Sequence, residues 1–187
     1  MITLELVKEF DSQQSGNTGS WVKQHMPNYY SLDAKNKGRY GEQFFLSLFS
    51  DTDMKCNDNN ADHDFIVNGL KLELKFSLAS NQKGKGVYDK FTFNHIGLHK
   101  QWDYLVLVGV NPPVELAHVR RGHAYSEEVR AYCISKKDLE SQLDMLLTLN
   151  YISHQQGGKA GGNDDYMVTD YQKILKWEGI KRLDEII

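Results

Sequence analysis

Between Leu70 and Ser77 apolar and polar residues alternate with a period of two: Leu70, Leu72, Leu74 and Phe76 point one way, Lys71, Glu73, Lys75 and Ser77 the other. Just before them Phe65, Ile66 and Val67 read as a short apolar strand, and Asn68-Gly69 is a two-residue hairpin signal. The hairpin returns the start of the first strand to the far end of the second. Asp64, Glu73 and Lys75 are thereby brought together at one end of a two-stranded ribbon. Other segments carry a helical period. Leu4, Val7 and Phe10 form one face of a helix over Ile2–Phe10, and Tyr40, Phe44, Phe45, Leu48 and Phe49 give a strongly apolar helix within Lys37–Ser50. Ser20 is read as the cap of a short helix that Pro27 stops, with Tyr29, Tyr30 and Leu32 packed on the domain.

Further along, Met54-Lys55-Cys56 predicts an edge strand. The continuous apolar run from Leu105 to Val110 predicts a fully buried central strand. A strand is expected between Pro112 and Ser126, then a last one over Val129–Ile134, followed by a helix from Lys136 to about Leu149. A short helix carries Ile174 and Trp177 near the end. Segments 11–19, 80–90 and 154–165 are polar and glycine-rich and read as loops. The glycines of the last one fit neither a GxGxxG turn nor a phosphate-binding P-loop. This order predicts an α/β (α+β) domain with a mixed, mostly antiparallel central β-sheet flanked by helices. The expectation is one domain over residues 1–187, with its core at about 38–135.

Composition narrows the class. The chain has 187 residues, 40% of them hydrophobic and 25% charged, as expected of a globular protein with an adequate core. Net charge is −3, so no global basic footprint marks a phosphate-binding protein. Charge is uneven, however. From Lys71 to Lys100 there are six lysines against two acids, a local net charge of +4. Cys56 and Cys133 have neither metal-ligand nor disulfide-framework spacing. Acidic residues stand in the N-terminal segment where a signal peptide would carry basic ones, and no apolar run is long enough for a membrane span. A cytoplasmic protein is expected.

The ribbon end is the candidate site. The carboxylates of Asp64 and Glu73 are hard oxygen ligands suited to Mg²⁺, and Lys75 adds positive charge where anionic oxygen would accumulate. The bland alternative is a surface hairpin with a solvated polar face. Asp62 competes with Asp64 as a ligand; Asp64 is preferred because it directly precedes the strand. His63 is read as structural or solvent-facing. Glu42 is read in the first turn of its helix, where an acid compensates the helix dipole.

Asp64, eight residues, then Glu73-Leu74-Lys75 resembles the active-site signature of the PD-(D/E)xK phosphodiesterase superfamily, with His63 in place of the usual proline. The resemblance covers about Gly38 to Val110. It extends to "FTFNHI…WDYLVLVGVNP", similar to the stretch that in restriction-type members follows the Glu-x-Lys strand, often after a helix. It implies a restriction-endonuclease-like core and Mg²⁺ as cofactor, held by Asp64, Glu73 and the Leu74 backbone carbonyl. Lys75 would position water or offset transition-state charge, and Glu42 would complete the catalytic set. Double-stranded DNA is the implied substrate. Type II restriction endonucleases are the nearest likeness, with a homodimer and a cognate DNA methyltransferase as expected partners. Lys83 and Lys85, on a basic loop, and Asn94 and His95 are candidate DNA-binding residues; each has an ordinary reading as loop or packing residue. Alternatives are a structure-selective nuclease, a non-catalytic DNA-binding module of the same fold, and an interaction protein in which the hairpin is incidental.

Overall fold

A computed structural model describes residues 3–12, 28–29, 32–47, 55–56, 62–81, 88–110, 129–155 and 165–186. The predicted cap at Ser20, the strand at 112–126, the basic loop with Lys83 and Lys85, and most of loop 154–165 lie outside these residues. The protein is a mixed α+β structure. Its main sheet has six strands in the order β1 (Lys55–Cys56), β2 (Phe65–Val67), β3 (Leu70–Leu78), β7 (Tyr104–Val110), β8 (Val129–Ser135) and β11 (Lys181–Arg182). Only β3 and β7 run parallel; every other pair in this sheet is antiparallel. β2 and β3 join through Asn68 (φ 51°) and Gly69 (φ 80°), the double positive φ of a type I′ hairpin.

Helices flank the sheet. α1 (Leu4–Ser12) buries Val7, and α2 (Ala34–Ser47) lies across β3. Tyr40 and Phe44 meet Phe76, and Phe45 meets Phe65, so α2 covers the sheet face that carries Phe65, Leu72 and Phe76. Gly41 permits this close approach, because a Cβ there would run into the Phe76 side chain. Gly41→Ala is expected to cost about 1–3 kcal/mol through overpacking. A thermal melt checks it; an unchanged midpoint would contradict the contact.

The opposite face is covered by a second sheet of three strands, ordered β6 (Phe93–Gly97), β10 (Asp165–Val168) and β9 (Ser153–His154). Phe91, leading into β6, presses its ring on Gly109 of β7, and the Thr92 N–H donates to Ser77 Oγ at 3.0 Å. The connection from β3 to its parallel neighbour therefore passes through a small pair, β4 (Ser80–Asn81) with β5 (Tyr88–Lys90), and then β6. Its described residues contain no helix, unlike the arrangement the resemblance suggested.

Val129–Ile134 is not the last strand, as three short strands follow it. The helix expected to run from Lys136 to Leu149 is divided at Gln142 into α3 (Lys136–Ser141), capped by Ser135, and α4 (Leu143–Thr148). Gln142 is buried and its amide bonds Asp138 O and both backbone groups of Glu178. It thereby ties these helices to the segment after α5 (Tyr171–Ile174). A 3-10 turn, Leu183–Glu185, closes the described chain. No helix among the described residues is long and apolar enough to cross a membrane.

Candidate functional site: a buried carboxylate held by two lysines

The site forms where β2 stops. Beyond Phe65 the strand no longer pairs with β3, and Asp64 uses its side chain instead: Oδ2 accepts from the Leu74 N–H at 2.7 Å, while the Asp64 N–H donates to Leu72 O. Register places Asp64 next to Glu73 on the face away from α2. The Leu74 carbonyl leaves the strand on the same side as its N–H, so it faces the Asp64 edge. The polar face of β3 is not merely solvated. Lys71 at its start is exposed, but Glu73 is 0% exposed and Ser77 is buried. Asp64 and Glu73 lie side by side rather than on separate surfaces.

Glu73 is the centre of this arrangement. Its Oε1 receives Lys75 Nζ at 2.5 Å and Lys100 Nζ at 2.7 Å. Its Oε2 is buried with no hydrogen-bond partner among the described residues. A buried anionic oxygen without a donor is costly and calls for a positive ligand. Asp64 senses the same surroundings. Burial pushes its carboxyl from 3.8 up to about 6, Glu73 and Glu42 push it the same way, and Lys75 and the Leu74 N–H pull it down. Asp64 thus senses the carboxyl groups of both Glu73 and Glu42, and Glu73 bonds two lysine side chains.

Glu42 is half-buried and close enough to act on Asp64, but its place in the helix differs from expectation. α2 begins at Ala34, with Asp33 Oδ1 accepting from the Asn36 N–H at 2.8 Å, so Glu42 stands in the third turn. Helix-dipole compensation acts only within the first turn and cannot explain an acid there. Of the two competing aspartates, Asp64 bonds the Leu74 N–H of β3. His63 is buried, consistent with a structural role rather than a solvent-facing one.

Asn94 and His95 are exposed on β6, and the structure does not bring them to Glu73. His95 instead faces Asp165, Nδ1 to Oδ2 at 3.6 Å, and takes a left-handed backbone (φ 56°) with its N–H on Gln155. Lys100 is the residue that sequence reasoning missed. It lies 27 positions beyond Glu73 in the turn between β6 and β7. Its only sequence signal was membership of the basic segment. Cys133 offers no nucleophile, because burial pushes its thiol up to about 11.

No set of three His, Cys, Asp or Glu side chains among the described residues forms a preassembled metal cage. The donor chemistry nevertheless fits a divalent cation. Glu73 Oε2 is an orphaned buried oxygen, Asp64 is a carboxylate in excess of nearby positive charge, and all the donors are hard oxygens. No protein-family model matches the chain, and a search of curated proteins found no significant match.

Proposed function

We propose that this chain is a metal-dependent phosphodiesterase with a restriction-endonuclease-like core, acting on double-stranded DNA as a type II restriction endonuclease does. The observation that carries the reading is the state of Glu73: wholly buried, one oxygen shared by two lysines, the other without a partner, one strand away from a carboxylate with a raised pKa. An unmet buried carboxylate oxygen is uncommon, and a bound cation would satisfy it. Asp64 and Glu73 would hold Mg²⁺, with the Leu74 carbonyl and Glu42 at the same edge. When bound, the cation supplies Lewis acidity and neutralises phosphate charge.

The chain's own groups do the rest. Glu73, fixed by two ammonium groups, keeps its orientation without moving when substrate arrives, which is the preorganisation that electrostatic catalysis requires. Lys75 is partly exposed, at 17% of its side chain, and so faces both Glu73 and any phosphate above it. It orients an attacking water and offsets charge that builds on the phosphate. Glu42 adds negative charge on the Asp64 flank and favours cation binding there. The homodimer, the methyltransferase partner and a cytoplasmic location belong to this proposal as well.

The test is incubation of plasmid DNA with the full chain, with and without Mg²⁺, beside Lys75→Ala. Discrete bands that need Mg²⁺ are expected, with Lys75→Ala losing at least about a hundredfold in rate while still binding DNA, the scale of one lost electrostatic contact to the transition state. Cleavage by Lys75→Ala at the wild-type rate would sink the assignment. Intact duplex but cut forks or four-way junctions would move the reading to a structure-selective nuclease.

A further inference from the structure

Lys75 places an ammonium on Oε1 of the buried Glu73 carboxylate. Lys100 places a second ammonium on the same oxygen, leaving local positive charge on the Oε1 side of Glu73. Both lysine side chains are partly exposed, at 17% and 24%. The other flank is acidic, with Asp64 and Glu42. The site is thus divided, cation-seeking on one side and anion-seeking on the other.

The backbone of Lys100 is built into place. Its N–H donates to Gly97 O at 3.3 Å, and its carbonyl accepts from Lys136 Nζ at 2.6 Å. The indole of buried Trp102 donates to the same Gly97 O at 2.9 Å, and the Lys136 ammonium lies 5.6 Å from the centre of that indole. Gly97 leaves room for the side chain to pass, since a Cβ there would come within 3.3 Å of Lys100 Cγ and 2.9 Å of His99 Cε1.

We propose that Lys100 is a substrate-contacting residue that forms, with Lys75, a two-ammonium clamp for the anionic oxygens of a phosphodiester. The inference rests on the phosphodiesterase reading above and adds to it a phosphate contact outside the Asp64…Glu73-Leu74-Lys75 signature. The clamp makes and breaks no covalent bond. It holds the phosphate over Glu73 and stabilises charge on its non-bridging oxygens.

The experiment measures binding of a short fluorescein-labelled DNA duplex to the full chain in EDTA across a KCl series, together with cleavage in Mg²⁺, for wild type, Lys100→Met and Lys100→Arg. Each phosphate contact contributes about 0.9 to the slope of log affinity against log salt. Lys100→Met is expected to lower that slope by about one, to weaken binding roughly tenfold at low salt and to lose cleavage. Lys100→Arg, which keeps the charge, is expected to retain slope and affinity. A lysine needed only for folding would change the melting temperature and leave the slope alone; should Met lower the melting temperature, Lys100→Gln is read in the same way. A wild type that binds and cuts, beside a Lys100→Met with unchanged slope and rate, overturns the Lys100 assignment alone. A wild type that neither binds duplex at any salt nor cuts any DNA overturns the phosphodiesterase reading, and this inference with it.

Discussion

Asp64→Asn is expected to make the protein more stable above about pH 6 while removing its proposed activity. The wild-type carboxyl is raised from 3.8 to about 6, chiefly by burial and secondly by Glu73. The folded state therefore holds the Asp64 proton more tightly than the unfolded chain does. Below about pH 3.8 both states are protonated and nothing is lost. As pH rises from there to about 6 the unfolded chain ionises first, and stability falls. Above about 6 the loss is complete, at about 3 kcal/mol for such a displacement. Asparagine keeps the carbonyl that accepts the Leu74 N–H and carries no charge, so it escapes the penalty. Its extra amide donors need partners, which leaves a net gain of about 1–2 kcal/mol. Urea denaturation at pH 5 and pH 8 checks this: the advantage of Asn over Asp should grow with pH. A gap that stays flat across that range would mean that Asp64 is not held in the surroundings described here. Mg²⁺ adds a second arm, because a cation bound only by the folded state stabilises it. It should raise the melting temperature of the wild type and leave Asp64→Asn unmoved.

The local architecture of the site was legible because it follows from short-range rules. A period of two fixed the faces of β3, Asn68-Gly69 fixed the hairpin, and together they set Asp64 beside Glu73. The apolar run at Leu105–Val110 announced a central strand in the same way. Harder to read was whatever depends on long-range packing. Burial of Glu73 requires the segment between β6 and β7 to fold over the polar face of β3, and nothing in the alternation of β3 predicts that cover. Lys100 arrives from the same segment, so its contact with Glu73 was hidden for the same reason. The three-stranded sheet pairs β6 with β10, more than sixty residues later in the chain, and no periodicity encodes such a partnership. The start of α2 was misplaced for a local reason. Glu42 is expected in the first turn, whereas the Asp33 cap starts the helix at Ala34, and Gly41 serves packing against Phe76.

Glu73→Gln is expected to have the larger destabilising effect, together with loss of activity. The substitution removes the one charge on which two ammonium groups converge, and Lys75 and Lys100 then face each other across a neutral amide. Removing one partner from a buried ion pair costs about 3–5 kcal/mol, because the charge left behind has no compensation. Both lysines are partly exposed and can turn toward water, which places the cost near the lower end, at about 3 kcal/mol. The second consequence is specific to a shared oxygen. If the cost comes from stranded ammonium groups, deleting one of them should restore part of the stability. Lys100→Met in the Glu73→Gln background is therefore expected to recover about 1 kcal/mol, whereas the same change in the wild type brings no gain. Residues in one charge network couple by about 0.5–3 kcal/mol, while independent sites add to within about 0.5 kcal/mol. A double-mutant cycle in urea separates these cases. Strict additivity would show that Lys100 does not share Glu73, and the two-sided site would reduce to a carboxylate pair and Lys75. Coupling of the expected sign would make Glu73 the common anchor of the cation-seeking and anion-seeking flanks, which explains why this chain commits a wholly buried glutamate to its central sheet.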